Sequence, residues 1–426
     1  MTAPRLMAVG VALAAVAAGG LVRWFAGASR EPSPHEGPAP LIRLERAARE
    51  DDAHAQARLA MAWMGEAKRT GEARFVERAR LAARRALLVD PEQVEALKVE
   101  LLILHQGHQF EALREAALSL TREHPHDAFF QGLLGDALLE LGRYDDAAAA
   151  YQRMMDLKPS HATYTRVGYL RLLEGDVEGA ISVLKLAASS ADPMDDDTVA
   201  RALCELGDAF LAQGSPDVAF EYFTVALSRR PGLDRAHVGR GHVLRARGDA
   251  AAAADEFRAA VAACPLATHH ALLAEALEAQ GLRAQAQVEY GRALASASRE
   301  DDREHARLLL DLGRDAARAE QLARREHERR QDVFTQAVLA QALLAVGKVD
   351  EARAMARSAT RLGSPSARIA YVAGLVAAAT GDPETARQRL TAALQGIPRL
   401  SPRQAARART LLAALETGPR AGQPSP

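Results

Sequence analysis

The chain has 426 residues, 48% of them hydrophobic but only 4% aromatic, and its 54 Lys and Arg against 55 Asp and Glu leave a net charge of −1. That balance excludes a global field drawing in nucleic acid, and two cysteines, Cys204 and Cys264, do not imply a disulfide framework and read as free thiols. The Ala-, Leu-, Arg- and Glu-rich composition suits thin helices packed through small residues and disfavours a sheet or a thick aromatic core.

Leu6–Val22, LMAVGVALAAVAAGGLV, is a run of 17 uncharged residues flanked by Arg5 and Arg23. It is long enough to span a bilayer and longer than most signal-peptide cores. Trp24-Phe25 suits the membrane interface, whereas Ala26-Gly27-Ala28 is a small-residue cleavage site. Residues 1–28 are therefore expected to be a signal-anchor or a signal peptide, with export of the rest. Residues 29–40, Pro-rich and polar, read as a disordered linker. The remainder divides into a first helical run over 41–193, a break at 194–199, a second run over 200–416 and a disordered tail over 417–426.

Leu41–Arg49 opens the first run as a lone helix, and Asp51-Asp52 supplies carboxylates able to cap the next one. Residues 53–93 form a long hairpin whose first helix ends near Arg69 and whose second carries Phe75, Ala79, Ala83 and Ala86. Hairpins then follow at Val94–Asp127, Ala128–Ser160 and His161–Pro193. The acidic stretch Met194–Thr198 interrupts the period, with Asp197 or Thr198 expected to cap the helix after it. Ala200–Leu233 is the clearest hairpin: Leu203, Leu206, Gly207 and Phe210 on one helix, a break at Gly214-Ser215-Pro216, then Ala219, Phe223, Ala226 and Leu227, closed by Pro231. Apolar residues three and four apart turn one face of each helix inward. Asp234–Leu266 and Ala267–Glu300 repeat it with Phe257 and Tyr290 in place of Phe223. Residues 301–332 keep Leu308-Leu309-Leu310 and Gly313 but carry a charged second helix. Val333–Ser366 and Ala367–Leu400 resume the pattern, and Ser401-Pro402 starts a final helix to Leu415 with a charged outer face.

The recurring L-x2-L-G-x2-F, A-x3-F and closing Pro at a spacing of 34 resembles the tetratricopeptide (TPR) repeat. The resemblance covers roughly residues 50–400. It implies an all-α, right-handed superhelical solenoid of about ten hairpins with a C-terminal capping helix, in a bacterial protein with an N-terminal signal or anchor. It also implies a concave face lined by the first helix of each hairpin. Residues implied to face that groove are Thr165, Tyr169 and Leu172, then Arg201, Cys204 and Asp208, then Arg235, His242 and Arg245, then Glu275 and Glu278. Arg201, Arg235 and Arg245 form a cationic band meeting an acidic one at Glu275 and Glu278, a surface for a peptide of complementary charge; the alternative is that these groups pair with each other. The chaperone-type carboxylate clamp of the family needs groove Asn, and the chain has none.

Motifs of catalysis are missing: there is no G-x-x-x-x-G-K-[ST], no G-x-S-x-G and no H-E-x-x-H. His105, His108, His124 and His126 lie at two helix ends without the Cys or Asp of a metal site, and Asp192, Asp195, Asp196 and Asp197 lack the spacing of a calcium loop. The chain is thus expected to be no enzyme and to need no metal or cofactor. It is expected to be a protein–protein interaction scaffold at the cell envelope, binding a peptide or helix, with membrane contact through Leu6–Val22 and no nucleic acid. Carbohydrate binding in polysaccharide export and a cytoplasmic regulatory scaffold are the alternatives. The Arg-rich C-terminus (Arg399, Arg403, Arg407, Arg409, Arg420) reads as the solvated outer face of the cap.

Overall fold

The computed structural model describes residues 39–300, 302–398 and 400–417. Among them are 22 α-helices and no strand. A lone helix α1 (Ala39–Ala47) precedes ten hairpins, and α22 (Pro402–Thr417) follows them. The chain divides into two compact units, one up to Lys158 and one from Pro159 on. The proposed signal or anchor and nearly all of the linker and tail lie outside the described residues, although Ala39 and Pro40 belong to α1.

The first unit holds α1 and three hairpins: α2 (Ala53–Thr70) with α3 (Ala73–Val89), α4 (Val94–Gln106) with α5 (Phe110–Glu123), and α6 (Ala128–Glu140) with α7 (Tyr144–Leu157). Asp52 caps α2 by accepting from the Ala55 amide. The first hairpin is anchored by the Trp63 and Phe75 rings, stacked at 5.5 Å, with the Arg78 guanidinium over the indole at 4.7 Å.

The second unit holds seven hairpins: α8 (His161–Leu173) with α9 (Val177–Ser190), α10 (Asp196–Gln213) with α11 (Pro216–Arg229), α12 (Asp234–Ala246) with α13 (Ala250–Ala263), α14 (Ala267–Ala279) with α15 (Arg283–Glu300), α16 (Asp302–Asp311) with α17 (Ala316–Arg329), α18 (Val333–Ala345) with α19 (Val349–Ala359), and α20 (Ala367–Ala379) with α21 (Pro383–Gln395). Each turn is short. Gly214, at φ +84°, ends α10 in the left-handed conformation that glycine adopts without a Cβ penalty, and its amide returns to Phe210 and Leu211. The cap of α10 is Asp195, not Asp197 or Thr198: its carboxylate accepts from the Thr198 amide at 3.1 Å and the Thr198 hydroxyl at 2.6 Å.

Small residues decide how closely the helices approach. Phe223 on α11 is fully buried, and a Cβ on Gly207 or Gly239 would lie 2.6 or 2.3 Å from its ring. The aromatic thus fills the gap between two hairpins that the missing side chains create. Gly241 stands in the same relation to Phe257, and Gly135 in the first unit to Tyr151.

Curvature within the second unit brings early and late hairpins together. The turn at Gly175, after α8, touches the turn at Gly363, after α19: a Cβ on Gly175 would meet the Gly363 carbonyl oxygen at 2.8 Å. Ile397, between α21 and α22, packs on the apolar cluster of α10–α12 that contains Cys204, Phe223 and Val243.

Candidate functional site

Polar side chains on the first helices of the second unit meet one another from hairpin to hairpin. Arg235, on α12, donates to Asp208 of α10 through Nη2 at 2.6 Å and Nε at 3.1 Å, and also pairs with Glu205. Burial pulls the guanidinium pKa down, but the two carboxylates raise it further, so Arg235 is held charged. Asp208 is pushed up by burial, against the pull of Arg235. Arg245, one helical turn past His242, donates to Glu275 of α14 at 2.6 Å and to His242 Nδ1 at 3.2 Å. Arg201 pairs within its own helix with Asp197 at 2.9 Å. Each of the three guanidiniums of the expected cationic band therefore faces a carboxylate.

The remaining expected residues differ in burial. Cys204 is buried beneath the charges, and burial pushes its thiol up to about 12, which makes it an inert core group. Leu172 packs toward Ile181 and Leu206. On α8, Tyr169 is 40% exposed and the Thr165 hydroxyl has no hydrogen-bond partner among the described residues.

Beyond Glu275 the ladder of charges continues. On α16, Arg307 donates to Asp311 at 2.9 Å and pairs with Glu304. Asp311 also accepts from Arg368 of α20 at 3.0 Å and from the Gln404 amide of α22 at 2.9 Å. Burial alone would raise the Asp311 carboxyl, but Arg368 and Arg307 outweigh it and hold the pKa below the usual range. Glu278 accepts from Arg403 of α22 at 2.7 Å and from the Tyr290 hydroxyl at 3.0 Å, and the Arg403 guanidinium lies 5.5 Å from the Tyr290 ring centre.

The expected groove set stopped at Glu278. Carrying the same inner-face positions into later hairpins finds Arg368, the second residue of its hairpin just as Arg201 and Arg235 are of theirs, but not Arg307 or Asp311, which fall at the seventh and eleventh positions of the irregular hairpin 301–332. Arg403 has no such signal. Its expected place on a solvated outer face is corrected by the structure: it turns inward to a carboxylate 125 residues away.

Other candidates take local roles. His105 and His108 lie 5.9 and 5.6 Å from the Phe110 ring, and His124 5.5 Å from Phe130. Among the described residues no group of His, Cys, Asp and Glu is placed to hold a metal ion. Asp192 accepts from the Met194 amide at 3.0 Å, and Asp196 pairs with Arg229 at 3.1 Å. No helix of the described residues is long and apolar enough to cross a membrane.

His242 makes the groove pH-sensitive. Burial, then Arg245, pulls its pKa well below 6.5, so the folded chain keeps the imidazole neutral. Below about pH 6.5 the unfolded chain takes up a proton that the folded chain refuses, so stability falls as the pH drops through that window. His242→Gln should remove up to about 1 kcal/mol of the loss between pH 6.5 and 5.5. Urea midpoints at both pH values check this; an unchanged pH slope refutes it. His237 carries the opposite sign: its bond to Glu256 raises its pKa, a contribution present at low pH and lost as the pH rises through the folded value.

No curated protein sequence matches the chain. Among solved structures it is similar to a human IFIT1 dimer with PPP-AAAA (16% identity, TM-score 0.51, covering 74% of this chain and 73% of that one). It is similar to a human IFIT1 dimer with m7Gppp-AAAA (15%, TM-score 0.52, 76% and 76%). PilW, titled a widely conserved type IV pilus biogenesis factor, matches at 14% and TM-score 0.42 over 50% of this chain and 96% of that one. At these identities the likeness to the IFIT1 structures is one of fold alone. The tetratricopeptide repeat profile matches residues 108–162, 134–197, 169–234, 204–268 and 338–405, together more than half of the chain. With the glycine–aromatic wedges, the turn glycines and the stacked hairpins, this match establishes that the chain belongs to the tetratricopeptide repeat family.

Proposed function

We propose that the chain is a non-catalytic interaction scaffold at the cell envelope, whose second unit takes a helix or peptide of a protein partner into its concave face. The observation that carries the reading is that first helices of the hairpins carry a run of hydrogen-bonding side chains that meet between hairpins, with an exposed tyrosine, Tyr169, in the same helix layer. Such a surface is formed before binding, so a partner meets little ordering cost. Tyrosine, with a large apolar ring and a polar tip, is a favoured anchor at interfaces. The 17-residue uncharged run Leu6–Val22, long enough to span a bilayer, supports the envelope part of this reading.

The IFIT1 structures name RNA ligands of that protein. Phosphate binding draws its affinity from cationic side chains that displace counterions. In this groove Arg235, Arg245, Arg307 and Arg368 each face carboxylates, which favours a protein ligand. A sugar platform would need several open aromatic faces, whereas Tyr371 is 2% exposed and Tyr169 is the one exposed aromatic among the expected groove residues.

The test is a photo-crosslinking residue at Tyr169, with Val225 on the opposite helix layer as the control, in the native host's membrane fraction. Protein adducts from position 169, insensitive to nuclease, are expected. Adducts only from position 225, or nuclease-sensitive ones, sink the scaffold reading. Recovery solely from cytosol with Met1 intact sinks the envelope placement.

A further inference from the structure

α22 follows the last hairpin and packs on α20 and α21 as a cap would. Its first turn does something a cap does not need. Ser401 and Gln404 form a reciprocal capping box at 3.2 Å in each direction, which fixes where Arg403 and Gln404 point. Arg403 then reaches Glu278 on α14, and Gln404 reaches Asp311 on α16. The segment before it is also tied across the groove, because Ile397 packs on the α10–α12 cluster. Three independent contacts thus hold this one segment against hairpins far from it in the chain.

The grip is of a kind that can let go. The fully buried apolar residue of α22 is Ala408, while Leu411, Leu412 and Leu415 remain half-buried. The repeat helices instead bury side chains such as Phe223, Phe257 and Leu390 completely. Arg403 is 38% exposed, so its ion pair with Glu278 is in reach of solvent and of a competitor. A short tether raises the local concentration of such a segment to the millimolar range, enough to keep a modest contact closed.

We propose that α22 is an internal occupant of the concave face, a strap that covers the α14–α16 part of the groove and is displaced by a partner helix presenting a cationic and an amide side chain to Glu278 and Asp311. This rests on the scaffold reading above and adds its regulation. The partner would enter from the open rim at Tyr169, and removing the strap would raise its apparent affinity by the inverse of the fraction open beforehand.

The test uses the full chain and a fluorescent peptide of residues 401–417. Arg403→Glu should bind the peptide at least ten-fold more tightly than the wild type, because its own helix competes less well. Hydrogen exchange over 402–417 should be at least ten-fold faster in Arg403→Glu, with the hairpin amides unchanged. Restoring the pair in reverse, Arg403→Glu with Glu278→Arg, should bring protection back. If Arg403→Glu unfolds the second unit, Arg403→Ala takes its place. Equal peptide affinity, absence of peptide binding by the opened variant, or unchanged exchange overturns the strap. Partner adducts from position 169 that do not rise in Arg403→Glu also overturn it while leaving the scaffold reading intact. Enhanced peptide binding without partner adducts upholds the strap and removes the scaffold reading.

Discussion

Gly239→Leu should lower the stability of the second unit by roughly 2–3 kcal/mol, the upper part of the range for overpacking a filled core. Phe223 is the reason. A Cβ at position 239 would already lie 2.3 Å from its Cε1, and the fully buried ring also lies against the α10 backbone, where a Cβ on Gly207 would come within 2.6 Å of it. Phe223→Ala empties the same space and should cost about 3–5 kcal/mol. In the double variant the leucine enters the volume the ring has left, so the combined loss should fall short of the sum by at least about 1 kcal/mol. Urea titration of the four chains measures this. Strict additivity would mean that residues 223 and 239 do not share one space. Because each hairpin leans chiefly on its neighbours, the loss should spread to both sides of α11.

Asp311→Ala should cost about 3–5 kcal/mol, the usual consequence of removing one partner from a buried ion pair. The Asp311 side chain is 9% exposed and serves Arg307, Arg368 and Gln404 together. Without it two guanidiniums are left short of a counter-charge. Asp311→Asn, which keeps an acceptor but not the charge, should fall between. The pH dependence follows from the depressed carboxyl. Its folded pKa lies below the unfolded value of 3.8. The contribution is therefore complete above the unfolded value and is lost as the pH falls through the folded one. The difference between wild type and Asp311→Ala should be constant above about pH 5 and shrink below about pH 4. Denaturation at pH 7, 5 and 3.5 decides this; a difference that persists undiminished into acid would show that Asp311 acts through packing and not through charge.

The two variants probe different layers of the molecule, and the layers were unequally legible. Gly207, Phe223 and the turn at Gly214 are readable from the chain because their partners lie within one hairpin or the next. Asp208 and Arg235 were readable as groove candidates through the family resemblance, which assigns a direction to each position of a hairpin. That they face each other was left open, since either residue could have met solvent or a partner instead. The closing groups were not readable. Ser401-Pro402 announces a helix start, and the Arg-rich face after it looks like the surface of any terminal cap.

Apolar spacing, small residues and turn glycines, all local, suffice to determine the helices, the ten hairpins and the glycine–aromatic wedges between them. Arg403 on Glu278, Gln404 on Asp311, Ile397 on the Cys204 cluster and the turn at Gly175 against that at Gly363 were decided only by the tertiary structure. The physical reason is that groove closure is the sum of many small rotations between adjacent hairpins. No single hairpin encodes that sum, and a charged residue at the end of the chain acquires its partner only once all the rotations have been added.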